Sequence, residues 1–340
     1  MSKKILAKKS KVSMPKGKES PAAFFGIKEF PFDTLTNSAR STFLNCRMKF
    51  YWQYICRLTP IKASMPFLIG GLFHDGLETF YNGEFDEDTF RQNVVVPTIQ
   101  DFMSVAETDK ESEMLWVQEA VVMGMLKGYI ERYAKQDKTQ WKIIAPETDF
   151  SFQMKNGLKF AGKRDLLVRS RKVKGITLVE HKTTSVLGSG YIAKLPLDNQ
   201  ILCYCKSIEL DKQFKELPKQ IIYNVIKKSG LRQKQSESFN QYKDRIEQEY
   251  MDNITSYFYR EVIPVSPKTV KEAYNELERC GEEVKRCMDT GYYYKNTTQC
   301  TMWGVCPFMP LCLKQRDAIN RFKQRETLHA ELNLEGEKND

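Results

Sequence analysis

Apolar positions first recur at helical spacing just after Thr36. Thr36, Asn37 or Ser38 can cap a helix that runs through Phe43, Phe50 and Tyr54. A second helix opens at Gly70-Gly71 and carries Leu72, Phe73, Leu77 and Phe80. A third helical stretch spans Glu111 to Tyr133, with Leu115, Val122 and Leu126 on its apolar side. Near Ile143 the period changes. Glu147 to Gln153 alternates as a half-exposed strand does, Lys155-Asn156-Gly157 is a turn, and Leu158 to Val168 reads as the returning strand. Lys174-Gly175 makes another turn before a third strand, Ile176 to Lys182. A helix from about Pro196 to Leu210, a β-branched strand from Lys219 to Lys227, and two long charged helices, Ser236 to Tyr259 and Ser266 to Thr290, complete the pattern. It predicts an α/β core inserted between helical flanks.

Composition refines this picture. Of 340 residues, 41% are hydrophobic and 28% charged, a soluble globular balance. Residues 1–20 are rich in Lys with Pro and Gly, and read as a disordered basic arm; residues 331–340 read as a disordered acidic tail. No apolar run reaches the roughly 18 residues of a membrane span, and the N-terminus lacks a signal-peptide core, so an intracellular, cytoplasmic protein with no membrane partner is expected. The net charge of +10 fits a polyanionic partner such as nucleic acid. Nine Cys, an odd number, argue against a disulfide framework and for buried fillers or metal ligands.

The candidate chemistry begins with Asp165, late in the second strand, and with Glu180-His181-Lys182 in the third. Strand residues two apart share a face, so Glu180 and Lys182 project together, and Asp165 reaches them if the two strands are neighbours. Two carboxylates suit a hard divalent cation, which polarises a phosphate and activates water. A nearby Lys can orient that water, deprotonate it or stabilise charge on the phosphate.

Asp165 with Glu180-His181-Lys182 resembles the signature of the PD-(D/E)XK nuclease superfamily, and its context is similar to the RecB-like exonuclease branch. That branch includes the AddB nuclease domain, CRISPR-associated RecB-like exonucleases and phage recombination nucleases. Three further features carry the resemblance. Gly70-Gly71-Leu72-Phe73-His74 matches a glycine-then-His helix, which implies His74 as a metal ligand. Gln200 and Tyr204, four apart on one helix face, match a Gln-x-x-x-Tyr pair that supports the lysine, the water and the DNA phosphates. Cys300, Cys306 and Cys312, with Cys46 far upstream, match the layout of the iron–sulfur members, one early Cys and three late ones. Both gaps among the last three are five residues here, whereas the iron–sulfur members have a shorter first gap. That leaves Zn2+ as the alternative to a 4Fe-4S cluster. Cys280 and Cys287 read as core residues or spare ligands, and Cys56, Cys203 and Cys205 as buried fillers.

The resemblance covers Ser38 to Cys312. It implies a restriction-endonuclease-like α/β fold, with a mixed central sheet flanked by helices, as one nuclease domain over residues 36–320. The Cys cluster would join the helical N- and C-terminal parts. It also implies an Mg2+- or Mn2+-dependent deoxyribonuclease acting on DNA ends or single strands in recombination, repair or replication, in a prokaryotic or phage-infected cell. Asp165, Glu180, Lys182, Gln200 and Tyr204 would form the catalytic group. The metal would sit on His74, Asp165, Glu180 and the backbone carbonyl of His181. Lys163, Arg164, Arg169 and Lys194, with Arg171 and Lys172, are candidate phosphate contacts, and Tyr191 a candidate base-stacking residue. The competing readings are a non-catalytic nucleic-acid-binding protein and a subunit of a helicase–nuclease complex. No Gly-x4-Gly-Lys-Ser/Thr phosphate loop is present, so any motor would come from a helicase or recombinase partner.

Overall fold

The computed structural model describes residues 20–61, 65–104, 108–302, 304–329 and 332. Nearly all of the expected basic arm and acidic tail lies outside these residues. A short strand β1 (Thr34–Thr36) leads into α1 (Asn37–Asn45), and the Thr36 side chain accepts from the Ala39 N–H, as the cap predicted. The expected single helix is interrupted at Cys46, whose extended backbone separates α1 from α2 (Arg47–Phe50) and a π-helical turn over Tyr51–Ile55. Then follow β2 (Leu58–Pro60), α3 (Met65–Asn82), α4 (Glu87–Phe90), α5 (Val96–Met103) and α6 (Asp109–Gln140). The central strands are β3 (Trp141–Gln153), β4 (Lys159–Ser170) and β5 (Ile176–Thr184). After them come α7 (Ser189–Ala193), α8 (Asn199–Leu210), β6 (Gln220–Lys227), α9 (Phe239–Asp252), α10 (Ile254–Tyr257), β7 (Phe258–Pro264) and α11 (Pro267–Thr290). The described chain closes with α12 (Met309–Cys312) and β8 (Phe322–Gln324).

The result is a mixed sheet in the order β1-β4-β5-β6-β7, with β3 along the other edge of β4. β5 and β6 are parallel, joined through α7 and α8, and β4–β5, β3–β4 and β6–β7 are antiparallel. β2 and β8 form a separate two-stranded ribbon between distant parts of the chain. One edge strand departs from the sequence expectation. The helix expected from Ser236 to Tyr259 stops short: Phe258 and Tyr259 instead open β7, a strand that pairs with β6 and had no counterpart in the sequence reading.

Period-two burial explains why helices cover both faces. Ile176 and Leu178 of β5 and Ile221, Tyr223 and Val225 of β6 join a core with α1, α8 and α11. Val179 and Ile222, one residue out of phase, pack with Leu166, Val168 and Trp141 on the opposite side. There α3, α6 and α9 build their own core around Phe73, Leu126, Tyr129 and Tyr250. Close approach needs small residues at two points of α6: a Cβ at Gly124 or Gly128 would overlap Tyr250 or Phe258. Among the described residues, no helix is long and apolar enough to cross a membrane.

Candidate active site in a gap of the sheet

The site forms where the sheet is incomplete. β3 runs along one edge of β4 for most of its length. On the other edge, β1 pairs with Lys159–Ala161 and β5 pairs with Leu166–Arg169. Residues 162–165 lie between these two neighbours. At the end of the gap the ladder from Leu166↔Val179 gives way to a side chain: the His181 backbone N–H donates to Asp165 Oδ2 at 2.7 Å. The two strands are therefore neighbours, and Asp165 stands beside Glu180.

Glu180 and Lys182 extend the row of Ile176 and Leu178 toward α8, which brings Gln200 and Tyr204 to them. Lys182 Nζ donates to Glu180 Oε1 at 2.5 Å and to Gln200 Oε1 at 2.9 Å. The Gln200 amide nitrogen donates to Tyr204 Oη at 3.2 Å and lies 3.5 Å from Glu180 Oε1. Asp198 caps α8 through the Gln200 N–H, which fixes the start of that helix. Tyr204 Oη also packs against Gly162 in the gap, where a Cβ would stand 3.0 Å from it. Glu180 is 1% exposed, and its second oxygen, Oε2, is buried with no hydrogen-bond partner.

His74 comes from α3 on the other side. Its Nδ1 lies 3.3 Å from Glu147 Oε1 and 3.7 Å from Asp165 Oδ2. His74, Glu147 and Asp165 offer one ligand atom each within 4.8 Å of one another, the one such group of His, Cys, Asp and Glu among the described residues. Sequence reasoning missed Glu147. It sits within β3, where Pro146↔Leu166 and Thr148↔Arg164 place it opposite Asp165. Its φ of +43° is a left-handed conformation that costs a non-glycine residue about 1–3 kcal/mol. The register also slips at Ile144, a bulge next to the site. The only sequence signal for this was Pro146 interrupting a strand pattern.

The electrostatics follow from burial and from crowded charge. Burial and the charge of Asp165 push Glu180 up to about 8, against the pull of Lys182. Burial and Asp165 also raise Glu147, though His74 opposes them. Burial alone would depress His74, but Asp165, Glu147 and Glu180 override it and raise it to about 9. Burial likewise opposes the Lys182 charge, and Glu180, Asp165 and Asp198 outweigh it, so Lys182 stays a cation. Glu147 and Glu180 resist ionisation beside Asp165, and Glu180 Oε2 is buried without a partner, a donor set that suits a divalent cation.

The four cysteines named from sequence also converge. Cys46, Cys300, Cys306 and Cys312 line one cavity of about 200 Å3, with Lys49, Asn296 and Phe308. The break between α1 and α2 places Cys46 there, and the Asn296 N–H points at its sulfur. Cys56, Cys203, Cys205, Cys280 and Cys287 are buried in the core.

The basic candidates separate. Lys163, on β4 in the gap, acts on Glu147 and Asp75. Lys194 follows α7, beyond the C-terminal end of β5, and its ammonium lies 4.9 Å over the ring of Tyr191, which feels the charge of Lys182. Arg164 is a correction. It is 2% exposed, stacked over Phe150 and paired with Asp211 at the end of α8, so no phosphate reaches it. Arg169 is exposed and lies toward the far end of β4, near Glu216, about 13 Å along the strand from Asp165. Arg171 and Lys172, in the turn beyond it, lie farther still.

With this geometry in view, a family model described as the PD-(D/E)XK nuclease superfamily matches residues 34–313. No curated protein matches. Among solved structures, this chain is similar to a candidate exonuclease from Eubacterium rectale, at 13% identity and a TM-score of 0.46, over 79% of this chain and 85% of that one.

Proposed function

The chain belongs to the PD-(D/E)XK nuclease superfamily, and from that premise we propose that it is an Mg2+- or Mn2+-dependent deoxyribonuclease, an exonuclease acting on DNA ends or single strands. The observation that carries the reading is the meeting of Asp165 with Glu180, whose Oε2 is buried and bare. His74, Glu147, Asp165 and Glu180 would hold the cation, with the His181 carbonyl, which leaves the strand on the same side as the N–H bonded to Asp165. When bound, the metal would polarise the phosphate and lower the pKa of water.

The protein's own groups have separable tasks. Lys182, held as an ammonium, donates and cannot accept a proton, so its role is to orient water or stabilise charge on the phosphate. Gln200 holds both Lys182 and Tyr204, and so braces the lysine against α8. Lys163 and Lys194 would meet phosphates, and Tyr191 the bases of a single strand. The expected setting is end processing in recombination, repair or replication, with a helicase or recombinase as partner.

Cys46, Cys300, Cys306 and Cys312 would hold a 4Fe-4S cluster that staples α1 and α2 to the C-terminal segment. Zn2+ on the same four thiolates is the alternative occupant. The reading as a nuclease is tested by Glu180→Gln, which should bind DNA and fail to cleave it. A variant that cleaves at the wild-type rate removes Glu180 from the mechanism.

A further inference from the structure

His181, between the two catalytic residues of β5, belongs to a buried polar row on the opposite face of the sheet. His181 pairs in register with Asn224 of β6, and Asn224 with Arg260 of β7. Tyr129 and Asp137 of α6 and Tyr81 of α3 close over this row. His181, Asn224, Tyr129 and Asp137 are all buried.

The hydrogen bonds of this row run in one direction. Arg260 donates to both oxygens of Asp137, at 2.6 and 3.0 Å, and its Nε donates to Asn224 Oδ1 at 2.6 Å. That fixes the Asn224 amide, whose nitrogen donates to Tyr129 Oη at 2.9 Å. Tyr81 spends its one hydroxyl proton on Asp137 Oδ2, at 2.9 Å. The 2.7 Å contact between Tyr81 and Tyr129 must then use the Tyr129 proton. Tyr129 has no proton left for His181 Nε2, 3.0 Å away, so Nε2 is the donor. A neutral imidazole with Nε2–H has a bare Nδ1, and Nδ1 lies 3.8 Å from Asp165 Oδ2.

We propose that His181 is a positioning residue, locked as the Nε2–H tautomer by the Arg260–Asp137–Tyr81–Tyr129 chain so that no imidazole proton faces Asp165. The opposite tautomer would aim an N–H at Asp165 Oδ2, the oxygen that also meets His74 and the His181 N–H. It would cap that oxygen and compete with a cation. The network also clamps the residue between Glu180 and Lys182, which keeps both turned toward α8. The Nε2 proton stands on the hydrogen-bond directions, and the bare Nδ1 on a ring that burial keeps neutral; the consequence for catalysis rests on the nuclease reading above.

The test is nitrogen-15 NMR of metal-free protein labelled at histidine, which is tractable because the chain has only three His. The His181 signals are assigned by their loss in His181→Gln. The wild type should show a protonated Nε2 and an unprotonated Nδ1. Tyr81→Phe removes the oxygen that takes the Tyr129 proton. That proton then turns to His181 Nε2, and the imidazole proton moves to Nδ1. The same variant should bind Mg2+ more weakly in calorimetry and lose about 10- to 100-fold in kcat, the usual effect of disturbing a residue that orients a metal ligand, with KM little changed. A wild-type Nδ1–H tautomer overturns the proposal without any variant. So does Tyr81→Phe with an unchanged His181 spectrum or unchanged Mg2+ affinity. Wild-type protein that cleaves no DNA overturns the nuclease reading and leaves the NMR result to decide the tautomer.

Discussion

The carboxylate of Asp165, one residue beyond the last β4–β5 pair, takes the backbone N–H of His181, two residues beyond it, at 2.7 Å. Asp165 therefore has two duties: it satisfies a strand donor, and it presents charge beside Glu180. The two separate by substitution. Asp165→Asn keeps an oxygen acceptor, so its thermal stability should stay near wild type while metal-dependent cleavage falls by more than the ~10- to 100-fold typical of losing an outer partner of a metal ligand. Asp165→Ala should lose cleavage and also about 1–3 kcal/mol of stability, because a buried N–H is left unpaired. Equal melting temperatures for the two variants contradict the first duty.

Glu147 should behave as a strained ligand. Its left-handed backbone suits glycine. Glu147→Gly is predicted to fold with unchanged or higher stability, gaining up to about 1 kcal/mol, yet to bind Mg2+ or Mn2+ more weakly in calorimetry. Unaltered metal affinity removes Glu147 from the centre.

Proton linkage gives a third prediction. His74 is raised from 6.5 to about 9, so its stabilising charge is fully present below pH 6.5 and is lost as pH rises through 9. Glu180 is raised from 4.5 to about 8, so the folded state resists its ionisation and loses stability as pH climbs from 4.5 through 8. Both signs agree. Metal-free protein should melt at falling temperature between pH 6.5 and 9, and saturating Mg2+ should restore most of the loss. Because both groups must give up protons to ligate, calorimetry near neutral pH, in two buffers of different ionisation enthalpy, should register proton release on binding. No release contradicts the ligand set.

The cysteine cavity makes a fourth. Anaerobically purified protein should carry about four iron and four sulfide per chain. Cys306→Ser should lose the iron and melt at a lower temperature, because the staple between the chain's early and late segments is gone. Stoichiometric zinc with no iron assigns the site to Zn2+ instead.

Much of this was legible in the sequence because it is local. Glu180 and Lys182 share a face by strand period, the Thr36 cap is a one-turn motif, and Gln200 and Tyr204 are one helical turn apart. The unread parts depend on distant partners. Arg164 looked like a surface base until Asp211, 47 residues later, closed over it. Glu147 reads as an ordinary exposed strand position, and only the bulge and a positive φ turn it toward Asp165. The charged helix was carried two residues too far, to Tyr259, because the strand that begins at Phe258 is fixed by pairing with β6 and by Arg260, which Asp137 of α6 holds. Cys46 was named because the iron–sulfur layout has one early Cys, and the break in the helix there showed only in three dimensions.

The most direct test is cleavage of end-labelled single- and double-stranded DNA by anaerobically purified protein, with Mg2+ or Mn2+ and with chelator, beside Glu180→Gln. The account predicts cleavage that needs the metal, proceeds from an end and disappears in the variant. Folded, metal-loaded protein that leaves every substrate intact, or cleavage that survives Glu180→Gln, contradicts it.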